Sequence, residues 1–256
     1  MAQPSRTTPR HARGGAERRR ASHSMEAVLS EAVALLDEAG EPALTFRALA
    51  ARLGGGVGSV YWYVTGREEL LDRAVDHVMG DVLRATDSAA TLEDPIAEIR
   101  SIAVILFDAV ERRPWIAAYF MSNTDVQPNT LRLYDRLGRP LLRLNLTTRQ
   151  RFHAVSAVIG FVIGTAADLG RQAPPEVLDG TISRDEYIDR YAENWRRLDT
   201  VEFPFVHEIV EEFAGHDDRE QFRDGLDLIL EGLRHQADPE RPSARAPRQP
   251  HANKRR

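Results

Sequence analysis

Cysteine is absent from the 256 residues. That excludes disulfide frameworks, thiolate metal sites and cysteine nucleophiles, and it fits a reducing compartment. Lysine is nearly absent as well: of 34 basic residues, Lys254 alone is not arginine. This bias reads as the base composition of a GC-rich bacterial genome rather than as function. Long hydrophobic runs are missing. The most apolar stretch, 154–167, contains Ser156 and Thr165 and falls short of the roughly 20 apolar residues that a bilayer span needs. It reads as a buried helix, with no membrane partner. The N-terminus is polar and arginine-rich without an apolar h-region, so no secretory signal is expected and the cytoplasm is the expected location. No alternating strand pattern and no internal repeat stand out.

Catalytic signatures are equally scarce. The eight histidines are scattered without HExxH spacing. There is no nucleophile elbow, paired-carboxylate motif or dinucleotide fingerprint. The glycine-rich Gly54 to Gly58 lacks the Gly-Lys-Ser/Thr and the preceding strand of a phosphate cradle. The expectation is therefore no enzyme, no metal and no cofactor.

Charge is unevenly distributed. The formal net charge is −5. Residues 1–24 carry six arginines against Glu17, and residues 237–256 carry six basic groups against Asp238 and Glu240, which leaves −14 for residues 25–236. Residues 1–21 read as a disordered basic arm and 237–256 as a disordered basic tail, the latter broken by four prolines. Arg18-Arg19-Arg20 serve either as phosphate contacts or as a solvated tail.

Between the tails the periodicity is helical throughout, giving an all-α chain. Val28, Ala32, Leu35, Leu36 and Ala39 form one stripe, stopped by Gly40 and Pro42. Phe46, Leu49, Ala50 and Leu53 form the next, and Leu70 to Val82 carry a longer one. Asp94-Pro95 is a cap followed by proline at the first helical position. Thr147-x-x-Gln150 and Ser183-x-x-Glu186 are capping-box patterns. Pro140 ends or kinks a helix begun near Pro128, Pro204 begins another, and Asp218 caps the last, with Phe222, Leu226, Ile229, Leu230 and Leu233 as its stripe.

The most informative stretch is 44–71, LTFRALAARLGGGVGSVYWYVTGREELL. Two short amphipathic helices flank a glycine turn and a third helix starts on an acidic first turn, the layout of a helix-turn-helix. Thr45 caps the second helix and leaves Arg47 and Arg52 off its apolar stripe. Gly54-Gly55-Gly56 supplies the turn. The next helix, about Val57 to Val64, is too short to be stable alone; Val60 and Val64 pin it. Val57, Gly58, Ser59, Trp62 and Tyr63 are then free to face DNA. Gly58 permits close approach, and Ser59 can bond a base edge or a phosphate. Tyr61 and Trp62 serve as readers or as core aromatics.

Leu53-Gly54, then Val60-Tyr61-Trp62-Tyr63-Val64, then Gly66-Arg67-Glu68-Glu69-Leu70-Leu71 resemble the TetR family of bacterial transcriptional repressors, in its tetracycline-repressor-like branch. The specific motif covers about residues 28–79. Weaker similarity continues through Arg113-Pro114-Trp115 and Phe222 to Leu233. The resemblance implies that Arg47 reaches a base edge and that Val57, Gly58 and Ser59 lie on the base-reading face. It implies that Tyr61 contacts the backbone or a thymine methyl, that Tyr63 replaces a phosphate-binding histidine, and that Arg67 replaces a lysine beside a phosphate. It also implies double-stranded operator DNA, a small-molecule effector and a second copy of the chain as partners.

The expected organisation is a DNA-binding domain at 22–86 and a helical ligand-binding and dimerisation domain at 88–236. Trp115, Phe120, Met121, Tyr134, Phe161 and Trp195 are candidates for lining an effector cavity, with plain packing as the alternative for each. Ala157, Gly160 and Gly164 recur at spacings that let another helix approach closely. With Leu226, Ile229, Leu230 and Leu233 they form the dimer interface that the resemblance implies, or they pack within one subunit. A ligand-blind regulator, an activator, or an all-helical enzyme or carrier with an incidental glycine turn remain the alternatives.

Overall fold

The computed structural model describes residues 23–123, 127–170 and 174–238. The expected basic arm, 1–21, lies outside these, and so does the expected tail, 237–256, apart from Ala237 and Asp238. Among the described residues there is no strand. Twelve α-helices follow in order: α1 Met25–Ala39, α2 Phe46–Arg52, α3 Val57–Val60, α4 Arg67–Ala85, α5 Pro95–Glu111, α6 Pro114–Ser122, α7 Pro128–Gly138, α8 Thr148–Leu169, α9 Pro175–Leu178, α10 Arg184–Arg196, α11 Pro204–Gly215 and α12 Asp218–Ala237.

Local chemistry sets most of these boundaries. Ser24 and Thr45 accept from the backbone N–H of Ala27 and Ala48, capping α1 and α2. Asp94 accepts from Ile96 N at 2.9 Å ahead of Pro95. Both capping boxes form, Thr147 with Gln150 and Ser183 with Glu186. The α7 helix ends at Gly138, and a 3₁₀ segment, Arg139–Arg143, carries Pro140. At α12 the cap is one residue earlier than expected. Asp217 accepts from Glu220 N at 2.8 Å, because the Asp218 carboxylate is engaged by Arg184 at 2.6 Å and by His216 at 3.1 Å.

The first four helices form the head. Val28, Ala32 and Leu36 of α1, Leu49 of α2, Val60 of α3, and Leu70, Ala74 and Val75 of α4 are essentially fully buried. The long α4 packs against α1 on one side and α7 on the other. The remaining helices build a bundle in which α8 packs against α5, α6 and α12. Its centre is an aromatic stack. Phe107 and Phe222 lie face to face with centroids 3.6 Å apart, and Phe161 stacks on Phe222 at 5.6 Å. Gly225 makes room for that stack: a Cβ there would sit 2.5 Å from the Phe161 ring. Helices α10 and α11 pack on each other around Ala192 and Val210. Trp195 stacks on Phe213 there at 4.3 Å.

The apolar α8 differs from its sequence-based expectation. By length and composition it is a helix able to cross a membrane, yet only 28% of its apolar window is buried within the chain. Val155, Val158, Val162, Ile163 and Ala166 face the bundle. The opposite face, with Phe152, Ala157, Gly160 and Gly164, lies exposed. The reason is two-sidedness: small and apolar residues occupy both faces, and one chain covers only one of them.

Candidate nucleic-acid interface

The turn between α2 and α3 is closed by hydrogen bonds in a Schellman arrangement. Gly55 N donates to Ala50 O at 2.9 Å and Gly54 N to Ala51 O at 3.2 Å. Gly54 has φ of +65°, a left-handed conformation that favours glycine. At Gly55 a Cβ would lie 2.9 Å from Ser59 Oγ, so a side chain there would turn the Ser59 hydroxyl from its present position. At Gly56 and Gly58 a Cβ meets nothing within 4 Å.

The regular recognition helix is shorter than its sequence suggests. It spans Val57–Val60, and the chain continues to Val64 as a turn in which Tyr63 N and Val64 N both bond Val60 O, at 2.9 and 3.3 Å. Val60 and Val64 are both buried. Each contributes roughly 1.5–3 kcal/mol of apolar burial, which offsets the poor helix-forming tendency of one isolated turn. Pinning at both ends tightens the segment and pushes Tyr61 and Trp62 outward. Trp62 is 88% exposed and Tyr61 60% exposed. The core alternative for Trp62 therefore fails. Tyr61 leans edge-on against Phe46, with centroids 4.8 Å apart, so its ring is oriented while its hydroxyl end remains outside.

The other candidates divide into two groups. Thr45, Arg47, Val57 and Gly58 are exposed, and Arg47 pairs with no acid among the described residues. Ser59 is half-buried and its hydroxyl donates to Gly56 O at 2.6 Å, so in this state the hydroxyl is engaged within its own turn. Tyr63 is turned inward and its hydroxyl donates to His23 O. Arg67 is a brace: its Nε donates to Leu44 O at 3.0 Å and its Nη2 to Glu41 O at 2.7 Å, with the Glu41 carboxylate 3.1 Å away. These bonds tie the start of α4 to the entry of α2. Glu69 completes the junction. It accepts from Thr65 N and Thr65 Oγ1, each at 2.7 Å. These bonds, with help from Arg73, hold its carboxyl well below the ordinary value of 4.5, at about 2.

The six aromatic and methionine candidates for an effector cavity are not brought together. Trp115 is buried at the junction with α1, its Nε1 donating to Asp37 at 2.8 Å. Phe161 belongs to the central stack and Trp195 to the α10–α11 pair. Phe120, Met121 and Tyr134 sit on α6 and α7, with Met121 and Tyr134 exposed. Among the interface candidates, Ala157, Gly160 and Gly164 face outward, but Leu226, Leu230 and Leu233 are buried inside the subunit and Ile229 is half-buried. The apolar stripe of α12 serves the bundle core because it closes on α5 and α8, and Leu228, off that stripe, is the exposed leucine. Among the described residues no group of three histidines or acids is placed to hold a metal.

Sequence reasoning missed three aspartates that join head to bundle. Asp37, near the end of α1, accepts from Trp115 Nε1 and from Arg113 Nε at 3.1 Å. Asp72 of α4 accepts from the Tyr119 hydroxyl at 2.8 Å. Asp76 of α4 accepts from Asn129 N at 2.7 Å and Thr130 N at 3.3 Å, capping the first turn of α7 from another helix. The only sequence signal was the i, i+4 repeat of Asp72 and Asp76 on one face of α4.

Comparison with known proteins agrees with this layout. Residues 28–74 match the model for bacterial regulatory proteins of the tetR family, and residues 93–237 match the tetracyclin repressor-like C-terminal domain. A solved TetR regulator from Streptomyces coelicolor, SCO7222, is 34% identical, covering 84% of this chain and all of its own, with a TM-score of 0.71. ActR from the same organism shares the fold at 21% identity and a TM-score of 0.71, over 85% of this chain and all of its own. The HTH-type transcriptional repressor DrrR1 of Streptomyces coeruleorubidus is 26% identical over 82% of this chain and 77% of its own length.

Proposed function

The chain belongs to the TetR family of bacterial DNA-binding transcriptional regulators, and from that membership we propose that it is a homodimeric repressor released from its operator by a small molecule. The observation that carries the DNA-facing part is the contrast between buried Val60 and Val64 and the exposed Tyr61 and Trp62 between them. Two adjacent exposed rings, Tyr61 and Trp62, suit an interaction surface, where tyrosine and tryptophan are enriched. Thr45, Arg47, Val57, Gly58, Ser59, Tyr61 and Trp62 make up the major-groove face, and Tyr63 and Arg67 support it from behind. A regulator of this kind works beside the chromosome, in the cytoplasm.

Residues 22–86 act as the DNA-binding domain and 88–236 as the regulatory and dimerisation domain. The second copy covers the exposed face of α8, where Gly160 and Gly164 allow close helix approach, together with Leu228 of α12. Two heads related by a two-fold axis then meet two half-sites. The effector acts through α6 and α7, whose Trp115, Tyr119 and Asn129 are held by aspartates of the head. Phe120, Met121 and Tyr134 are the side chains there left for ligand contact. ActR has been solved in complex with actinorhodin and with (S)-DNPA, and DrrR1 is named a repressor; both support this reading. An effector displaces the operator only to the extent that it binds the DNA-free arrangement more tightly.

The test is a reporter driven by the promoter upstream of the chain's own coding region, with and without the chain. Expression that falls when the chain is supplied supports repression, and expression that rises identifies an activator.

A further inference from the structure

Helix α4 is the part of the head that meets α6 and α7, through Asp72 and Asp76. The residues assigned to the groove sit on α2, α3 and the turn after it. Helices α2 and α3 pack on each other and α2 packs on α1, whereas neither packs extensively on α4. What bridges the first residue of α4 and the entry of α2 is the guanidinium of Arg67.

That bridge is a fork. Nε takes Leu44 O, while Nη2 takes Glu41 O and lies 3.1 Å from the Glu41 carboxylate. Leu44 is fully buried, and its carbonyl accepts from no other donor among the described residues. Releasing Arg67 to a DNA phosphate would leave this buried acceptor unsatisfied, a larger loss than an ordinary hydrogen bond returns. It would also strip the Glu41 carboxylate of its counter-charge just as a phosphate approached, and like charges repel. Both terms hold Arg67 where it is when DNA arrives.

We propose that Arg67 is a positioning residue for sequence recognition: it fixes the α2–α3 pair against α4 and touches no phosphate. The inference rests on the reading of Val57 to Trp62 as the groove-facing surface, and it departs from the phosphate contact that the family resemblance implies at this position. Lysine, the residue that the resemblance implies there, separates the two roles. It keeps a charge for a phosphate. Its single ammonium on a flexible stem cannot reproduce a planar fork that meets Leu44 O and Glu41 O at once. A phosphate contact strengthens binding to every sequence and steepens the salt dependence. A positioning contact matters only where base edges must be met in register.

The experiment uses the full chain and two duplexes: one that the unaltered chain selects from a random pool, and a scrambled one of the same length and composition. Fluorescence anisotropy across a salt series is read for the unaltered chain, for Arg67→Lys, and for Arg67→Ala/Glu41→Ala, which removes the fork at constant net charge. Arg67→Lys is expected to bind the selected duplex about tenfold more weakly, the scale of one lost charged hydrogen bond, and the scrambled duplex as tightly as before. The double variant is expected to lose the same preference and keep the salt slope. Unaltered affinity of Arg67→Lys for the selected duplex, or equal loss on both duplexes, overturns the proposal. So does a double variant whose log–log slope is shallower by about 0.9 for each head, the signature of a lost phosphate contact. Arg67→Lys decides by itself if the double variant does not fold. Equal affinity of the unaltered chain for both duplexes instead overturns the groove-facing reading on which the proposal rests, so the two failures are distinct.

Discussion

The indole Nε1 of Trp115 donates to the carboxylate of Asp37 across 2.8 Å, joining the first helix of the DNA-binding head to the second helix of the bundle. Arg113 donates to the other oxygen of the same carboxylate at 3.1 Å, so one side chain of α1 holds both ends of the α5–α6 corner. Trp115 is buried while Asp37 is exposed, so removing the carboxylate leaves the N–H only solvent as a partner. Asp37→Ala is expected to destabilise the chain by about 1–3 kcal/mol, the cost of losing the two hydrogen bonds that its carboxylate accepts. Trp115→Phe, which keeps the ring and drops the donor, is expected to cost less. Urea unfolding with an unchanged slope and a lowered midpoint checks both.

Glycines on facing helices are expected to respond oppositely. Gly225→Ala drives a Cβ to 2.5 Å from Phe161, a ring held by its stack on Phe222, and overpacking of this kind costs about 1–3 kcal/mol. A Cβ added at Gly160 or Gly164 meets nothing within 4 Å in the single chain. Gly160→Leu and Gly164→Leu should therefore leave the helical circular dichroism intact while weakening the dimer in sedimentation equilibrium. An unchanged dimer would place the interface elsewhere.

Glu69 gives a pH signature. Its carboxyl is lowered to about 2 by the Thr65 backbone N–H first, then the Thr65 hydroxyl and Arg73. A depressed carboxyl contributes stability that is complete above its unfolded value and is lost as pH falls toward the folded one. The difference in Tm between the unaltered chain and Glu69→Gln is expected to be constant at neutral pH and to shrink as pH falls from about 4.5 to about 2. A difference that stays constant through that window would contradict the assigned bonds.

What the sequence made legible was local. Caps at Ser183, Thr147 and Asp94 involve partners within three residues, so spacing alone reveals them, and the Val60/Val64 pins follow from a helical period. The placement of faces was not legible. An apolar stripe says that a helix buries one side, not which body covers it, so Leu226, Leu230 and Leu233 read as a dimer interface when in fact they close the subunit's own core. The cavity candidates lie apart from one another for the same reason, since aromatic content does not say whether rings converge. The Asp37, Asp72 and Asp76 junction joins residues 47–78 positions apart and leaves no local pattern. Arg67 shows the converse: its position matched the family's phosphate contact, but the acid and carbonyls that engage it lie 23–26 residues away.

An exposed face carrying Arg47 and Trp62, built on a buried Val60/Val64 base, is the surface assigned to the operator. The most direct measurement is the affinity of Arg47→Ala and Trp62→Ala for a DNA duplex that the unaltered chain selects from a random pool, alongside their thermal stability. Both side chains are exposed, so Tm is expected to stay close to that of the unaltered chain. Loss of a bidentate base contact at Arg47 is expected to weaken specific binding by about 1–3 kcal/mol, with loss for Trp62→Ala in the same direction. Unaltered affinity in both variants would contradict the assignment of this face to DNA.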